Sequence, residues 1–528
     1  MDKAKKIAKS TLAIIIFSLL GRILGFFREI LSAAIFGATH EMDAFIASQS
    51  ITSIISVLLT ASIAAAFIPS LQKAERELGN ERKIYFTNNM FGIVTIFSII
   101  AMVLGVVFAP QLTLLYTSHS TKLLDVYELV VYLTKIQMPV IFFSCIVGVM
   151  TGYLQYEGFF AITGGLNIPL NLTYIIYLKL FAHHVGIIGL TIASVLGVAV
   201  QILFLAPYMH KTKFKFRPVL DFKDEYVKES LILCLPILVS SAVADINSIV
   251  NKRIAMGLGE GAVSVLNWAN KMNLMFLGVF VAAITTVVFP TMSKAFGSGD
   301  MIHGKRVMNA AVKVVLFLTV PATVGLLILG KPFVEIAFLR GKFTVQNAID
   351  TTAALRCYSF ALISISISNV LNRVYYSIKY TKAPFIIGII NVVINIVLNV
   401  LVAHKFGTSG LAASVSIATT IAVILSFVML RKRIGSLGSY SYIRAIIKSL
   451  IAAGVMGTFT LVYYPIETIL INHINSHIKL IQLMLLLIVI GIAAIIYGIM
   501  LYLLGVREVK DIIKLIKQKR MKKRMAIN

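Results

Sequence analysis

Two arginines and a glutamate, Arg22, Arg28 and Glu29, lie inside a long apolar stretch near the start of the chain. A charge at the centre of a bilayer costs about 2.5–3.5 kcal/mol on insertion scales, so these side chains should face a protein cavity or water. Because a guanidinium group matches phosphate oxygens in a planar, bidentate geometry, the arginines could bind a phosphorylated substrate. Glu29 could hold one arginine in place. The alternative is a buried ion-pair cluster that only fixes helix packing.

Further charges lie within or beside other apolar stretches. Asp43 opens the second stretch, Lys252 and Arg253 lie in the seventh, and Lys271 lies in the eighth. Together with the first three residues they are candidate substrate-binding residues, and cations outnumber acids among them. A net cationic cavity favours an anionic, phosphorylated substrate, for which lysine supplies a point charge and arginine a fork of donors.

Helix geometry limits which of Arg22, Arg28 and Glu29 can contact the same ligand. On a straight helix Arg22, Gly25 and Glu29 share one face, whereas Arg28 points elsewhere. Gly21 and Gly25 could bend or unwind the helix enough to bring both guanidinium groups to one cavity. On a straight helix, the two arginines would face different directions.

The elements that carry these residues are predicted from composition. The chain has 528 residues, of which 58% are hydrophobic and only 13% charged. Its mean hydropathy is +0.90, and soluble domains have about 25% charged residues. A membrane span needs about 20 predominantly apolar residues. Fourteen stretches qualify: 11–36, 43–69, 89–112, 126–154, 163–183, 186–208, 230–256, 262–290, 308–330, 349–377, 384–404, 409–430, 443–463 and 481–504.

The net charge of +27 is concentrated in alternate connections between the stretches. The basic connections include 70–88, 209–229 and 294–306, whereas most of the others are short and poor in basic residues. The positive-inside rule places both termini in the cytoplasm, and it accounts for the basic excess without nucleic acid. The connection at 331–348 is a basic exception on the outer side, which marks it as a candidate functional segment.

Two halves of the chain resemble one another. Residues 67–74 recur at 288–295, and residues 189–193 recur at 410–414, both with an offset of 221 residues. The pattern predicts an all-α membrane protein with two six-helix lobes in parallel orientation plus two further helices, and a substrate cavity between the lobes. The predicted domains are 1–208, a linker at 209–229, 230–433, two further helices at 434–504, and a basic amphipathic cytoplasmic tail at 505–528.

Enzymatic signatures are absent from the sequence. Residues 325–331 resemble a P-loop, but Pro332 stands where serine or threonine is required. No nucleophile–base arrangement is recognisable. His473 and His477 have the i,i+4 spacing of metal ligands, but they lie in an external loop with no acid nearby, so no metal site is expected there. We therefore expect a transporter without a bound cofactor, driven by a gradient, the membrane potential or substrate supply.

Several motifs resemble a known family. The segments 21–29, 35–37 and 42–45 are similar to the first two spans of the MurJ (MviN) lipid II flippases, which belong to the multidrug/oligosaccharidyl-lipid/polysaccharide exporter superfamily. Residues 267–271 and 341–344 extend the resemblance, which runs from about residue 7 to beyond residue 430. It implies translocation of an undecaprenyl-pyrophosphate-linked peptidoglycan precursor across the bacterial cytoplasmic membrane by alternating access.

The resemblance also implies roles for individual residues. Arg22 and Arg28 would bind the pyrophosphate or the sugar-peptide headgroup, and Asp43 matches the family pattern directly. Glu29 stands where the family usually has aspartate. Lys271 stands where it usually has arginine, which keeps the charge but loses the bidentate fork. The last two helices would bind the polyprenyl tail.

Partners and energy source are less defined. Some members of the family bind sodium through acids in spans 7 and 11, but Asn251, Asn395 and Asn399 fall near those places here, so sodium coupling is only weakly indicated. The expected partners are lipid II, membrane lipids and the cell-wall synthesis machinery, with the protein itself a monomer. The alternatives are a flippase for another polyprenyl-linked saccharide and a multidrug/cation antiporter of the same superfamily.

Overall fold

The computed structural model describes residues 2–117, 124–212, 214–287, 289–473, 478–506 and 508–509, without the side chains of 2–12, 15, 61–62, 64–65, 231, 233–245, 279–290, 439 and 471–473. Most of the predicted tail at 505–528 therefore lies outside the described residues. The regular elements in the described part are all helices: α1 (Asp2–Phe36), α2 (His40–Val107), α3 (Ala109–Leu114), α4 (Leu124–Gln137), α5 (Pro139–Tyr156), α6 (Phe160–Gly164), α7 (Asn167–Leu180), α8 (Ala182–Lys211), α9 (Glu225–Met256), α10 (Ala262–Val287), α11 (Phe289–Gly297), α12 (Met301–Phe338), α13 (Val345–Ser377), α14 (Lys382–Ile434), α15 (Ser439–Thr460), α16 (Tyr463–His473) and α17 (Ile478–Leu503). The predicted all-α class is confirmed.

The helices follow the predicted spans. Ten segments of the described residues are long and apolar enough to cross a membrane. One of them, Lys382–Ile434, contains two predicted spans. The spans predicted at 11–36, 230–256 and 262–290 lie on α1, α9 and α10–α11, helices that include side chains outside the described set.

Breaks in the helices recur at the offset of the sequence repeat. A residue with positive φ interrupts or ends a helix where the chain must turn between spans, and most such residues are glycines because glycine lacks the Cβ that disfavours this conformation. Four of these positions in the first half recur 220–222 residues later: Gly37 and Gly259, Gly79 and Gly299, Gly158 and Lys379, Gly186 and Gly407. The backbone thus supports the duplication inferred from the sequence motifs, while the predicted domain boundaries stay a prediction.

The chain forms two compact units. The first unit comprises Met1–Ser264 and Arg340–Thr344. In it α2 packs against α5, α9 and α4, and α1 packs against α7. The short segment 340–344 is the middle of the basic outer connection. Its Lys342 backbone N–H donates to the Ala34 carbonyl (2.8 Å) at the end of α1.

The second unit comprises Val265–Leu339 and Val345–Asn528. Here α12 packs against α13 and α15, α13 packs against α14, and α15 packs against α17. Its core includes fully buried side chains such as Val315, Leu371 and Tyr375.

Candidate functional site

Arg28 of α1 is an enclosed cation of the predicted site. Its guanidinium Nη2 lies 2.5 Å from Glu29 Oε1, and only 17% of the Arg28 side chain is exposed. The guanidinium carbon is 4.7 Å from the centroid of the Tyr174 ring on α7. The Tyr174 hydroxyl in turn accepts a hydrogen bond from Gln49 Nε2 of α2 (3.2 Å). Three helices therefore hold this cation through an ion pair and a cation–π contact.

The two glycines of α1 serve close packing. A Cβ added at Gly21 would lie 2.9 Å from Asn167 Cβ, and one added at Gly25 would lie 3.3 Å from Asn171 Nδ2. Asn171 Nδ2 also donates to the Gly21 carbonyl (3.0 Å). The helix is not unwound at these glycines, since α1 is helical from Asp2 to Phe36. The glycines instead let α7 approach α1, which places Tyr174 beside Arg28.

Arg22 differs from Arg28 in its surroundings. It is exposed, six residues before Arg28 on the same helix. Among the ion pairs of the described residues, Glu29 pairs with Arg28 and not with Arg22. Arg22 is thus open to a ligand, whereas Arg28 is already held by protein groups.

Asp43 lies in the interior of the first unit with 0% exposure. Its Oδ2 accepts from the Gly261 backbone N–H (2.7 Å), and its Oδ1 accepts from the backbone N–H (2.7 Å) and hydroxyl (2.6 Å) of Ser264. Gly261 has φ +78, and a Cβ there would lie 2.5 Å from the Ala38 carbonyl oxygen. Both carboxylate oxygens are therefore used to cap the start of α10. Sequence reasoning grouped Asp43 with the cations and missed these partners.

Lys252 and Arg253 of α9 point to different parts of the first unit. The half-buried Lys252 donates through Nζ to Ser50 Oγ of α2. Ser50 directly follows Gln49, which bonds to Tyr174, so Lys252 and Arg28 are connected through adjacent residues of α2. Arg253 is exposed and donates through Nη1 to the Leu114 carbonyl (2.9 Å). Asn251, beside them, is half-buried.

The remaining polar candidates lie in the second unit. Lys271 is half-buried on α10. On α14, Asn399 Nδ2 donates to Asn395 Oδ1 (3.1 Å), and both residues are fully buried. This pair is neutral, and the described residues contain no group of three or more His, Cys, Asp or Glu side chains that could hold a metal ion. Hard cations such as sodium prefer oxygen ligands, and charged carboxylates strengthen such sites.

An apolar groove of about 460 Å³ runs through the second unit. It lies among α12, α15 and α17, and α10 contributes Phe276. Gly325 of α12 lines it, and a Cβ added there would have no atom within 4 Å. Tyr497, also in the lining, shares a hydrogen bond with the buried Ser449 (2.7 Å). The size suits an organic ligand, and the lining is what an isoprenoid or acyl chain requires.

Comparison with known proteins gives a consistent result. A family model described as lipid II flippase MurJ matches residues 32–472. A probable lipid II flippase MurJ of Bdellovibrio bacteriovorus is 29% identical over 82% of this chain and 83% of its own length. The Buchnera aphidicola subsp. Schizaphis graminum protein of the same name is 28% identical over 97% of this chain and 100% of its own length.

Solved structures agree at the level of the fold. A structure titled lipid II flippase MurJ, inward closed conformation, matches with a TM-score of 0.74 and 23% identity, covering 93% of this chain and 99% of its own. An inward-facing multidrug resistance MATE family transporter matches with a TM-score of 0.66 and 15% identity, over 81% of this chain and 99% of its own.

Proposed function

The chain belongs to the MurJ family of lipid II flippases, and we propose that it moves lipid II, an undecaprenyl-pyrophosphate-linked peptidoglycan precursor, from the inner to the outer leaflet of the bacterial cytoplasmic membrane by alternating access. It is a multi-pass membrane transporter and not an enzyme. The observation that carries the substrate proposal is the enclosed Arg28, kept in an apolar helix by Glu29 and Tyr174. Charged side chains within membrane spans mark substrate and ion pathways, and a guanidinium group is the side chain best matched to phosphate oxygens.

The cations differ in whether protein groups already bind them. Arg28 is paired with Glu29, so the two charges largely cancel at a distance, and a phosphate arriving beside Arg28 would compete with Glu29 for its N–H donors. Arg22 is exposed, and its planar fork can bind pyrophosphate oxygens directly. In the first unit Lys252 adds a point charge and Arg253 a further guanidinium group, and Lys271 is a half-buried cation of the second unit. Asp43 acts as a positioning residue, because its oxygens are occupied by α10 donors.

The apolar groove is the proposed site for the polyprenyl tail. Its lining includes residues of α15 and α17, which fall in the segment 434–504 predicted to bind that tail. A C55 isoprenoid has no polar atoms to satisfy, so an apolar lining is the complement that it needs.

Coupling and assembly follow as further parts of the proposal. The neutral Asn395–Asn399 pair favours the membrane potential over sodium as the energy source. The basic connections favour cytoplasmic termini. We further propose that the protein works as a monomer alongside the cell-wall synthesis machinery.

The test is rescue and reconstitution. Wild-type protein should restore growth to cells depleted of their native lipid II flippase, and Arg28→Ala and Lys271→Ala should rescue less well at equal protein levels. Purified protein should move labelled lipid II across liposomes. If it moves another polyprenyl-linked saccharide instead, the cargo is reassigned. If it exports organic cations and ignores lipid II, it is an antiporter, the function that the MATE-like fold alone would also allow.

A further inference from the structure

The connection between α8 and α9 contains a non-helical segment, residues 214–224, which we name the strap. Two adjacent asparagines of α2 hold its backbone. Asn88 Nδ2 donates to the Lys215 carbonyl (3.0 Å), and its Oδ1 accepts from the Arg217 N–H (3.0 Å). Asn89 Oδ1 accepts from the Asp221 N–H (2.7 Å), and its Nδ2 donates to the Asp221 carbonyl (2.9 Å). Such two-sided bonds fix the backbone in one orientation.

Two further contacts hold the middle and the end of the strap. A Cβ at Gly92 of α2 would overlap the Val219 carbonyl oxygen, so only glycine permits this approach. At the end, the fully buried Asp224 carboxylate lies 2.9 Å from Arg82 Nη2 and caps α9 by accepting from the Tyr226 N–H (2.9 Å). The strap is therefore held against the first unit along its whole length.

Its outward side combines large apolar and basic side chains. Phe216 is 67% exposed, Leu220 53% and Phe222 48%. Interleaved with them are three exposed basic residues, Lys215, Arg217 and Lys223. Isolated exposed apolar residues are common, but three of them within one short segment whose backbone is held by α2 side chains are typical of an interaction surface.

Besides Asp224, the strap has one acidic residue, Asp221, and its carboxylate accepts hydrogen bonds from the protein. Asp221 Oδ1 accepts from the Lys223 N–H (2.9 Å), and its Oδ2 accepts from the Tyr85 hydroxyl (3.4 Å). The exposed charge of the strap is thus positive.

The position of the strap relates this surface to the membrane. The candidate span Ala182–Lys211 ends three residues before it, and the span predicted at 230–256 begins six residues after it. Both ends are therefore tied to the same boundary between membrane and water. Phenylalanine and leucine side chains bury at the headgroup–acyl boundary, and basic residues near it attract anionic lipids, by roughly 1 kcal/mol each.

We propose that the strap binds the anionic phospholipids of the leaflet that it faces, with Phe216, Leu220 and Phe222 among the acyl-chain ends and Lys215, Arg217 and Lys223 on the phosphate groups. It anchors the connection between α8 and α9 to the membrane surface while the spanning helices move. This role does not depend on which lipid-linked cargo is carried.

The experiment uses Phe216→Trp in the full-length protein, reconstituted in vesicles that contain brominated phosphatidylglycerol or brominated phosphatidylcholine at equal mole fraction. The native Trp268 is the only tryptophan of the chain and is fully buried, so wild type supplies the background. Added quenching at position 216 is expected in both lipids, and about twofold or more stronger in brominated phosphatidylglycerol.

Charge variants in the Phe216→Trp background separate the electrostatic attraction to anionic lipid from the insertion of the apolar side chains. Lys215→Gln with Arg217→Gln should abolish the excess quenching by phosphatidylglycerol. Lys305→Gln with Arg306→Gln, an equal loss of charge outside the strap, should retain it. The proposal is overturned if position 216 shows no quenching above wild type, or if the excess survives the strap double variant. Equal thermal unfolding midpoints will show that the variants are folded.

Discussion

Gly325→Leu is expected to block the apolar groove without damaging the fold. Gly325 lies on α12 and lines the groove, and a Cβ there would meet no atom within 4 Å. Replacing glycine by leucine in a helix is favourable by up to roughly 1 kcal/mol, so protein stability should not fall. The added side chain would occupy groove volume that we assign to the polyprenyl tail.

The size of the effect follows from the tail contacts that are lost. A leucine side chain in the groove displaces about two to three methylene-sized groups of the tail, each contributing roughly 0.8 kcal/mol when buried. The loss of about 1.6–2.4 kcal/mol corresponds to roughly ten- to fiftyfold weaker apparent affinity. The assay is flipping of labelled lipid II in liposomes, measured against substrate concentration.

Matched controls make this result decisive. Gly454→Leu on α15 is the same change at an exposed glycine that also has no atom within 4 Å of the added Cβ and lies outside the groove lining, so its affinity should match wild type. A short-tailed analogue of lipid II should not distinguish Gly325→Leu from Gly454→Leu. Equal affinity of both variants for full-length lipid II would refute the assignment of the groove to the tail.

Three further changes test the first unit. Glu29→Gln removes the carboxylate that holds Arg28, and the lost charge-assisted bond should lower the free energy of unfolding by roughly 1.5–3 kcal/mol and slow flipping; an unchanged midpoint and rate would contradict the pairing. Asp43→Ala leaves three donors at the start of α10 without their acceptor, so thermal unfolding should occur at lower temperature by the equivalent of about 1–3 kcal/mol or more, whereas Asp43→Asn should retain part of the stability. Gly341→Ala forces a Cβ into the Ala34 carbonyl at φ +58, so hydrogen exchange at the Lys342 amide should accelerate, while Gly158→Ala, strained in φ but uncrowded, should leave that amide protected.

The helices could be predicted because their signal is local and repeated. Twenty apolar residues indicate a span wherever they occur. The repeat was visible in short motifs and recurs in the backbone at Gly186 and Gly407, where both halves break a helix in the same conformation. A single sequence suffices for such features.

The environment of the cations could not be predicted in the same way. Tyr174 lies 146 residues from Arg28 in the chain, and an aromatic residue in an apolar helix gives no sign of the cation that it will meet. Gly21 and Gly25 could have bent or unwound α1, but they are packing contacts with α7; glycine permits both roles, and only the neighbouring helix decides between them. Asp43 was grouped by charge alone, whereas its donors come from Gly261 and Ser264, more than 200 residues away. Contacts between distant segments carry no signature in one sequence.

The balance of chemistry between the two units favours an amphiphilic anion over an organic cation. A cation antiporter needs net acidic groups in its site, yet Glu29 is neutralised by Arg28 and the oxygens of Asp43 are occupied by backbone and hydroxyl donors. Arg22 remains exposed, so the charge available to a ligand in this helix is positive. The second unit contributes a groove lined almost wholly by apolar side chains, which a small soluble anion would not use. A substrate that needs both a cationic site and an apolar groove carries a charged head and a long apolar tail, and a polyprenyl pyrophosphate has both.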